Sequence, residues 1–471
     1  MNLPHRAIVA LATILAFPMP AMAGTPGAPV RQADVESSPA DVLVVGGTPA
    51  GVAAAIAAAR GGARVILASA APDLGGVLSD AEMDQWDLNL APDGAPVQHD
   101  AIFTEMYDRL GDVFTPQAAA GTFAAMVAAE PRISVRYDEV PAGVVETGQA
   151  GGERVEAVDF RSAANGRVSR VTARYVVDAS DGGDLAVLAG ARYDVGRQDS
   201  GIDEGMQAVT EMFEIAGVDW ARLADAYDAR RDGPGGVLGP RAWGYDKLMR
   251  AYEPGFPNVV VRDLNLGRLP DGDVTVNAID VCGIDGRDAA QLALARRETE
   301  REAARLVEYL RVRAPGFAHA TVERFAPAVY VRETRHIAGL ERLTTADVWD
   351  GVVPDDSIGL ASYPIDLHPV EPSDEPAYAP VRHVYGIPFG ALVPRGLANV
   401  LLASPAISAS HLASGSARVV PTTVEEGEAD GSEFAALLRQ KNGAALSVAD
   451  YLATREKRIA ARRQYPTRAP V

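Results

Sequence analysis

The first regular pattern in the chain is an apolar run followed by glycines and then by an alanine-rich stretch. Residues 41–45 read Asp-Val-Leu-Val-Val, which is typical of a buried β-strand. Residues 46–51 contain three glycines, and residues 52–60 contain six alanines and a single charge. A second apolar run follows at residues 64–68. This pattern predicts a strand, a glycine turn, a helix and a second strand, the opening unit of a parallel α/β sheet.

The glycine turn has the chemistry of a dinucleotide site. A tight turn directly after a strand needs a residue without a Cβ atom at Gly46. The following helix then directs free backbone N–H groups and the positive end of its dipole at a pyrophosphate. A Rossmann-like fold without a nucleotide is the alternative. On the first reading, the pyrophosphate is held by Gly46, Gly47, Thr48, Pro49, Ala50 and Gly51.

Two positions depart from the usual fingerprint, in which G-x-G-x-x-G is followed by an acidic residue. The middle glycine is replaced by Thr48, whose Cβ limits close approach but whose hydroxyl is a donor for a phosphate. The acid expected to bind the ribose hydroxyls is replaced by Ser69, which forms weaker hydrogen bonds than a carboxylate. Asp73, four residues later, is an alternative ribose ligand.

The middle of the chain carries patterns of a second structural unit. Apolar runs at residues 259–261 and 274–276 predict strands separated by a Pro-Asp-Gly-Asp turn at residues 270–273. Residues 289–313 place apolar side chains at helical spacing and are followed by Pro-Gly, which predicts a long amphipathic helix. Five prolines between positions 364 and 380 predict an irregular loop.

A second helix start is indicated near the C-terminus. Two overlapping capping boxes pair Thr422 with Glu425 and Thr423 with Glu426. A helix is expected to start there and to run to about residue 440, with an N-terminus that favours negative charge. An ordinary capped surface helix is the alternative. Residues 441–471 are rich in arginine and predict a basic helical tail.

The composition narrows the class of protein. The chain has 471 residues, a formal net charge of −19, 48% hydrophobic and 23% charged residues, as expected of a soluble globular protein of two or three units. The acidic balance argues against nucleic acid as a partner, because phosphate binding needs a basic surface. The single cysteine, Cys282, excludes an intramolecular disulfide and multi-cysteine metal sites. We expect Cys282 to be packed rather than bonded to a cofactor.

The N-terminus has the layout of a secretory signal peptide. Arg6 precedes an apolar run at residues 7–17, and Ala-Met-Ala at residues 21–23 matches the small-x-small cleavage pattern. The apolar run is too short for a membrane span, which needs ~20 residues; an uncleaved interfacial anchor is the alternative. We therefore expect a signal peptide at residues 1–23, a linker at residues 24–40, and a periplasmic or secreted protein without a membrane span.

Further motifs follow the glycine turn in a fixed order. They are Leu-Gly-Gly-Val-Leu at residues 74–78, Asp-Ala-Ser-Asp-Gly-Gly-Asp at 178–184, Val-Arg-Glu-Thr-Arg-His-Ile-Ala-Gly at 331–339, and closing segments at 407–411, 415–422 and 427–431. Together they resemble FAD-dependent oxidoreductases of the glutathione-reductase-like superfamily, in the branch that opens with GG(G/T)PAG. The resemblance covers most of the chain between residues 41 and 437.

The resemblance implies an α/β protein with two interleaved domains. A Rossmann-like FAD-binding domain, with a parallel sheet flanked by helices, would comprise residues 41–195 and 385–440. An inserted α+β substrate domain would comprise residues 196–384. Beyond the glycine turn, the resemblance implies FAD contacts from Ser69, Gly75, Gly76, Val140, Ala179, Gly183, Asp184, Pro421, Thr422 and Thr423.

The motifs that resemble the family also suggest two catalytic residues. In a flavoenzyme the isoalloxazine ring carries out the redox chemistry, and protein side chains position the substrate and move protons. His411 is expected near the ring as a base, because histidine titrates near neutral pH. Arg418 is expected to hold a substrate carboxylate or to polarise the flavin. A structural histidine and a plain ion pair are the alternatives for these two residues.

A basic cluster precedes these residues in the chain. Arg332, Arg335 and His336 lie within five positions, but strand alternation turns Arg335 away from the other two, so the three are not expected to line one pocket.

The predicted function is an exported FAD-dependent oxidoreductase that transfers a hydride from a small organic substrate to flavin N5. Oxygen, a quinone or a redox protein would re-oxidise the flavin. One alternative is a flavin-free accessory or binding protein that kept the fold, in line with the departures from the family pattern at Thr48, Ser69, Ser404 and Pro405. The other is an NAD-linked dehydrogenase, which the flavin-like closing segments disfavour.

Overall fold

The computed structural model of the chain describes residues 36–97, 101–149, 152–228, 235–375 and 377–440. The predicted signal peptide (1–23), most of the predicted linker and the predicted tail (441–471) lie outside the described residues. The linker prediction, 24–40, is wrong at its end, because the first strand begins at Glu36. Residues 36–40 pair with residues 169–173 and so extend the predicted strand backwards.

The first layer is a seven-stranded sheet with a parallel centre. Strands β3, β2, β1, β6 and β21 run parallel, while β4 and β5 form an antiparallel extension beside β6. The strands are β1 Glu36–Val45, β2 Val65–Ala68, β3 Ile133–Arg136, β4 Glu139–Gln149, β5 Gly152–Ser162, β6 Val168–Asp178 and β21 Val400–Leu402. The α/β prediction is thus confirmed, and this sheet takes one strand from far along the chain.

Helices cover both faces of this sheet. Alternate residues of β1 enter different cores, with Val42 and Val44 on one face and Leu43 and Val45 on the other. The helices of this layer are α1 Pro49–Arg60, α2 Ala101–Leu110, α3 Pro116–Ala128, α4 Asp184–Leu188, α9 His411–Ala417 and α10 Val420–Gln440. None of the helices within the described ranges is long and apolar enough to cross a bilayer.

The first and last of these helices pack directly on each other. Every residue of α1 from Pro49 to Ala59 is buried. A Cβ atom at Gly427 would lie 2.1 Å from the carbonyl oxygen of Ala50, and one at Gly431 would lie 2.2 Å from that of Ala54. The two glycines of α10 therefore let the helix backbones approach closely.

The second layer is a six-stranded antiparallel sheet backed by a long helix. Helix α7, Ala289–Arg313, has the predicted bounds and buries Ala303, Leu306 and Leu310 in this core. The strands in order across the sheet are β15 Thr321–Phe325, β8 Phe213–Ala216, β13 Val274–Asn277, β12 Leu264–Arg268, β10 Arg241–Gly244 and β9 Gly236–Leu238, with α5 Trp220–Asp228 and α6 Asp246–Met249 nearby.

Two sequence predictions in this region need correction. The turn at residues 270–273 joins β13 to β12, a strand that the sequence analysis did not predict. The apolar run at 259–261 instead forms β11 Val259–Val260, which pairs with β14 Asp280–Val281. The proline-rich stretch is not wholly irregular, because it holds two paired strands, β18 Ile365–Leu367 and β19 Ala377–Ala379. The remaining elements are β7 Tyr193–Val195, β16 Arg335–Ile337, α8 Thr345–Asp350, β17 Ser357–Ala361 and β20 Tyr385–Pro388.

Candidate active site

The glycine turn lies at the carboxyl edge of the parallel strands. Gly46 has φ +121°, and a Cβ atom there would lie 2.3 Å from the carbonyl oxygen of Ala179 at the end of β6. Thr48 caps α1: its Oγ1 accepts from the Gly51 N–H at 3.1 Å and donates to Ala179 O at 3.0 Å. The Thr48 hydroxyl proton is used by Ala179 O in this structure, so phosphate donation by Thr48 would need that hydrogen bond to change and stays a prediction. Pro49 occupies the first turn as predicted.

The residue at the predicted ribose-binding position, Ser69, also uses its hydroxyl within the protein. Ser69 is 2% exposed, and its hydroxyl donates to the Asp73 carbonyl at 3.0 Å and accepts from the Ala71 N–H at 3.2 Å. The prediction that Ser69 contacts a ribose is therefore not supported, since its proton is used within the loop. Asp73 Oδ1 is buried and accepts no hydrogen bond from the N–H and hydroxyl groups of the described residues. The Asp73 carboxylate lies against Asp80, and burial together with Asp73 raises the pKa of Asp80 to about 7. Asp73 stays a candidate acceptor for a ribose hydroxyl, in a pair with Asp80.

The remaining predicted contacts near the turn also gather at this edge. The Gly75 N–H donates to Gly47 O at 2.7 Å, which places the Leu-Gly-Gly segment against the turn. Strand β4 starts beside Ser69, because the Glu139 N–H donates to Ser69 O at 2.9 Å. The structure therefore brings together Gly46, Gly47, Thr48, Pro49, Ala50, Gly51, Ser69, Gly75, Gly76, Val140 and Ala179.

The loop after β6 completes the edge. Gly183 packs so closely on Ile337 that a Cβ atom would lie 2.9 Å from it. Asp184 begins α4 and accepts from Arg335 Nη1 at 2.7 Å. Arg335 therefore binds the loop after β6. It lies apart from Arg332 and His336, as predicted from strand alternation.

The capping boxes predicted in the closing segment are wrong. Ser410 caps α9, the chain turns at residues 418–419, and α10 begins at Val420. Pro421 and both threonines therefore lie inside the first turn. Thr423 Oγ1 donates to Val420 O at 3.1 Å, and Thr422 Oγ1 accepts from Asn89 Nδ2 at 3.0 Å. The Thr-Thr-Val-Glu-Glu pattern marks the interior of a helix whose start is set by the preceding turn.

A polar cluster lies where α9 ends against the second layer. Arg418 is 6% exposed; its Nη1 donates to Tyr330 Oη at 2.7 Å and its Nη2 to Asp366 Oδ2 at 3.1 Å. His368 Nδ1 lies 2.9 Å from Asp280 Oδ2, and His368 Nε2 lies 3.7 Å from Asp366 Oδ2. We call Arg332, Arg418, His368, Asp280, Asp366 and Tyr330 the interface cluster.

The carboxylates of the interface cluster set the charge of its histidine. Burial and the charge of Arg332 lower the pKa of His368, but Asp280 and Asp366 outweigh them and raise its pKa above the ordinary 6.5. Burial raises the pKa of Asp280, yet His368 and Arg332 overcome that effect and hold it below 3.8. Asp280 is thus an ionised acceptor, and His368 Nδ1 carries the proton between them.

His411 belongs to a different group of side chains. Its Nδ1 lies 2.7 Å from Glu333 Oε1, and the same oxygen lies 2.8 Å from His336 Nε2. Burial raises the pKa of Glu333, but the two histidines outweigh burial and lower it to about 2. His411 is the first residue of α9 and Arg418 follows its last, so the two predicted catalytic residues lie at opposite ends of this helix. Gln207 links the groups, since its N–H donates to Glu333 and its Oε1 accepts from the His368 N–H.

Sequence reasoning missed most of the interface cluster. His368 was one of several scattered histidines, and its partners are 88 and 2 positions away, at Asp280 and Asp366. Arg418 and Tyr330 are likewise 88 positions apart. No local spacing joins such residues; only the return of α9 to the second layer does so.

The single cysteine is packed away from solvent. Cys282 is 2% exposed and packs against Ala208 and Val260. Burial raises the pKa of its thiol to about 12, which keeps it protonated at neutral pH. Across the part of the chain that the structure describes, no group of three or more His, Cys, Asp or Glu side chains could hold a metal ion.

Comparison with known proteins identifies the family. Residues 41–456 match the FAD dependent oxidoreductase family. A geranylgeranyl bacteriochlorophyll reductase-like protein from Thermoplasma acidophilum is 14% identical, with 90% of this chain and 84% of that chain covered and a TM-score of 0.44. A flavin-dependent brominase is 10% identical, with 91% and 85% covered and a TM-score of 0.46. No curated protein matches the chain. The match spans most of the chain, which therefore belongs to the family of FAD-dependent oxidoreductases.

Proposed function

We propose that this FAD-dependent oxidoreductase takes a hydride from a small organic substrate bound at the interface cluster. The observation that carries the proposal is that His368 and Arg418 approach the same oxygen, Asp366 Oδ2, close to the start of α10. When bound, FAD supplies the hydride acceptor at its N5 atom. The protein then has to hold the cofactor, hold the substrate, and accept the proton that a C–OH or C–NH group releases.

The residues present fit FAD. The N-terminus of α1 and the glycine turn offer backbone N–H groups and a positive dipole end to a pyrophosphate. The buried Asp73 Oδ1, beside Asp80, fits a ribose hydroxyl. Gln207 Nε2 is buried, has no acceptor among the described residues, and belongs to the segment beside the interface cluster. We assign pyrophosphate to residues 46–51, ribose to Asp73, and the charged edge of the flavin to the first turn of α10.

His368 is the residue that accepts the proton. Asp280 accepts a hydrogen bond from Nδ1–H and fixes the tautomer, which leaves Nε2 as the basic atom. Nε2 is 3.7 Å from Asp366, beyond hydrogen-bond distance, so it keeps room for a substrate hydroxyl. The side chain is 24% exposed, which gives the proton a way to solvent. His411, whose Nδ1 is held by Glu333, stays a secondary candidate for the base.

We further propose that the protein is periplasmic or secreted, and that oxygen, a quinone or a redox protein re-oxidises the flavin. The N-terminal signal-peptide pattern supports the export of the protein. Its short apolar run and small-residue cleavage pattern suit removal during secretion.

The visible absorption spectrum of the purified protein tests the assignment. We expect the bands of oxidised flavin, either as isolated or after FAD is added. A protein that stays colourless with added FAD would contradict the proposal and favour a flavin-free accessory protein. The internal hydrogen bonds of Thr48, Ser69 and Ser404 are the observations that favour a flavin-free accessory protein.

Gly46→Val gives the matched test of the site. The added side chain collides with Ala179, so we expect flavin content to fall by at least tenfold. Gly121→Val is the control, because a side chain at Gly121 would meet no other atom within 4 Å. Far-UV circular dichroism shows whether each variant keeps its fold. Unchanged flavin content in Gly46→Val would contradict the assignment of the turn.

A further inference from the structure

Arg332 is a buried guanidinium with one edge unused. Its side chain is 1% exposed. Nη1 donates to Ala208 O and to Thr210 Oγ1, each at 2.9 Å, and Asp280 Oδ1 lies 3.6 Å away. Nε and Nη2 have no hydrogen-bond partner among the described residues. A buried charged donor without an acceptor is costly, so this edge needs an explanation.

The two unused atoms define the kind of ligand. Nε and Nη2 lie on one side of the planar guanidinium and point their N–H groups in parallel. That geometry matches the two oxygens of a carboxylate, which binds arginine through two parallel hydrogen bonds. A hydroxyl or an amide offers one acceptor oxygen without a full charge, so it cannot form two parallel charge-assisted hydrogen bonds.

Neighbouring side chains offer further donors to the same region. Gln207 is fully buried, and its Nε2 has no acceptor among the described residues. Nε of the buried Arg418 also has no acceptor among these residues. Both belong to the site, since Gln207 Oε1 accepts from the His368 N–H and Arg418 donates to Tyr330. The ring of Tyr330 lies between the two arginines, 4.7 Å from the Arg332 guanidinium. The region thus holds more donors than acceptors.

The charges of the interface cluster do not by themselves call for an anion. Arg332, Arg418 and His368 face Asp280 and Asp366. Asp87 and Asp263 add negative charge nearby, since Asp366 interacts with both. The attraction for a ligand therefore comes from the unused N–H groups of Arg332 and not from a net positive charge.

We infer that the substrate of this enzyme carries a carboxylate group, which binds to the Nε–Nη2 edge of Arg332. The inference rests on the proposed function and names the substrate class for the same site. The cluster meets solvent at His368 and Asp366 and is closed at Arg332, so the carboxylate enters with a shift of neighbouring side chains. Asp280 contacts both Arg332 and His368, which places the bound carboxylate close to the proton acceptor.

The first experiment titrates the FAD-loaded wild-type protein with small acids and their amides. Glycolate, propionate and benzoate are compared with glycolamide, propionamide and benzamide, and the change in flavin absorbance gives each Kd. We expect each acid to bind at least roughly tenfold more tightly than its amide, because the amide cannot fill both donors. Equal binding, or no effect of any acid, would overturn the inference. Absence of flavin bands at the outset would instead overturn the proposed function.

Variants of Arg332 give the second test. Arg332→Met is expected to lower carboxylate affinity roughly 10- to 100-fold, and Arg332→Lys to restore only part of it, because lysine lacks the two-pronged edge. Arg262→Met is the control, since Arg262 pairs with the exposed Glu375. The flavin reduction potential is measured in parallel. A shifted potential with unchanged carboxylate affinity would assign Arg332 to the flavin and overturn the inference. If Arg332→Met does not fold, the acid-to-amide comparison decides.

Discussion

His368 is held between carboxylates that come from two different parts of the chain. Asp280 lies on β14 in the second layer, and Asp366 lies on β18 beside α9. Asp280 orients the ring through Nδ1, and both carboxylates favour the charged imidazolium. The residue therefore holds a proton at pH values where an ordinary histidine has lost it.

The pKa of His368 gives a direct test at this scale. We expect histidine NMR to report a pKa above 6.5 in the wild-type protein. Asp280→Asn removes one stabilising charge, so it should lower that pKa and extend the neutral, basic form to lower pH. His368→Gln identifies the signal, and exposed His319 is an internal control. A pKa that stays the same in Asp280→Asn would contradict the account of the site.

The sequence identified the cofactor edge better than the substrate side, for a physical reason. Glycine and proline at positions 46 and 49 are fixed by backbone geometry within one turn, so the local pattern reports them. Thr48 and Ser69 were correctly seen as departures, but their hydroxyl partners at Ala179 and Asp73 were not visible. Side-chain hydrogen bonds of that kind depend on which loops meet in space.

Helix α10 carries acidic side chains on a buried face. Glu426, Asp430 and Glu433 are spaced four and three positions apart, so they lie on one side of the helix, and each is at most 2% exposed. Burial raises the pKa of Glu426 well above 4.5. Burial, followed by the charges of Glu426 and Glu433, likewise raises the pKa of Asp430 well above 3.8. Both carboxyls therefore keep their protons on folding at pH values where an unfolded chain ionises.

This face predicts a pH dependence of stability. Folding raises the pKa values of Glu426 and Asp430. The folded state is therefore most stable, as far as these two groups are concerned, below their unfolded pKa near pH 4, and it loses that stability as the pH rises. Each group lowers the free energy of unfolding by about 1.4 kcal/mol per pH unit in that window. We expect Asp430→Asn to flatten the fall in stability as the pH rises above the unfolded pKa, measured in urea unfolding experiments. Glu308→Gln, an exposed change on α7, should leave the slope unaltered; equal slopes in all three proteins would refute the prediction.

Element boundaries were predictable where periodicity was long, as in α7, or where a short apolar run lay next to turn residues, as in β2 and β13. Helix α7 has 25 residues with a repeating apolar stripe, and its predicted bounds are confirmed. The start of α10 was misplaced because the chain turns from α9 into α10 within two residues, and the threonines only resemble a cap. The short strands β12 and β18 were missed since five or fewer residues carry little periodicity.

Export is a property of the whole chain and has its own test. Cleavage after Ala23 would leave 471 − 23 = 448 residues. We expect intact mass and N-terminal sequencing of protein from a periplasmic or culture fraction to start at Gly24. An Ala23→Asp change should block processing, because the cleavage site needs small residues. Protein that keeps Met1 and stays with the cytosolic fraction would contradict the proposal.

The packing of α1 on α10 has a consequence for how the molecule comes into being. Arg439 Nη1 donates to Gly61 O across 378 positions of the chain, and β21 pairs with β6 only after residue 400 has been made. During synthesis the side of α1 that faces α10 therefore stays uncovered until nearly the whole chain has left the ribosome. A chain that cannot finish its first sheet early also cannot complete its nucleotide edge early. The interleaved architecture thus sets an order of events in which the C-terminal segment is made first, the first layer closes next, and the cofactor is captured last.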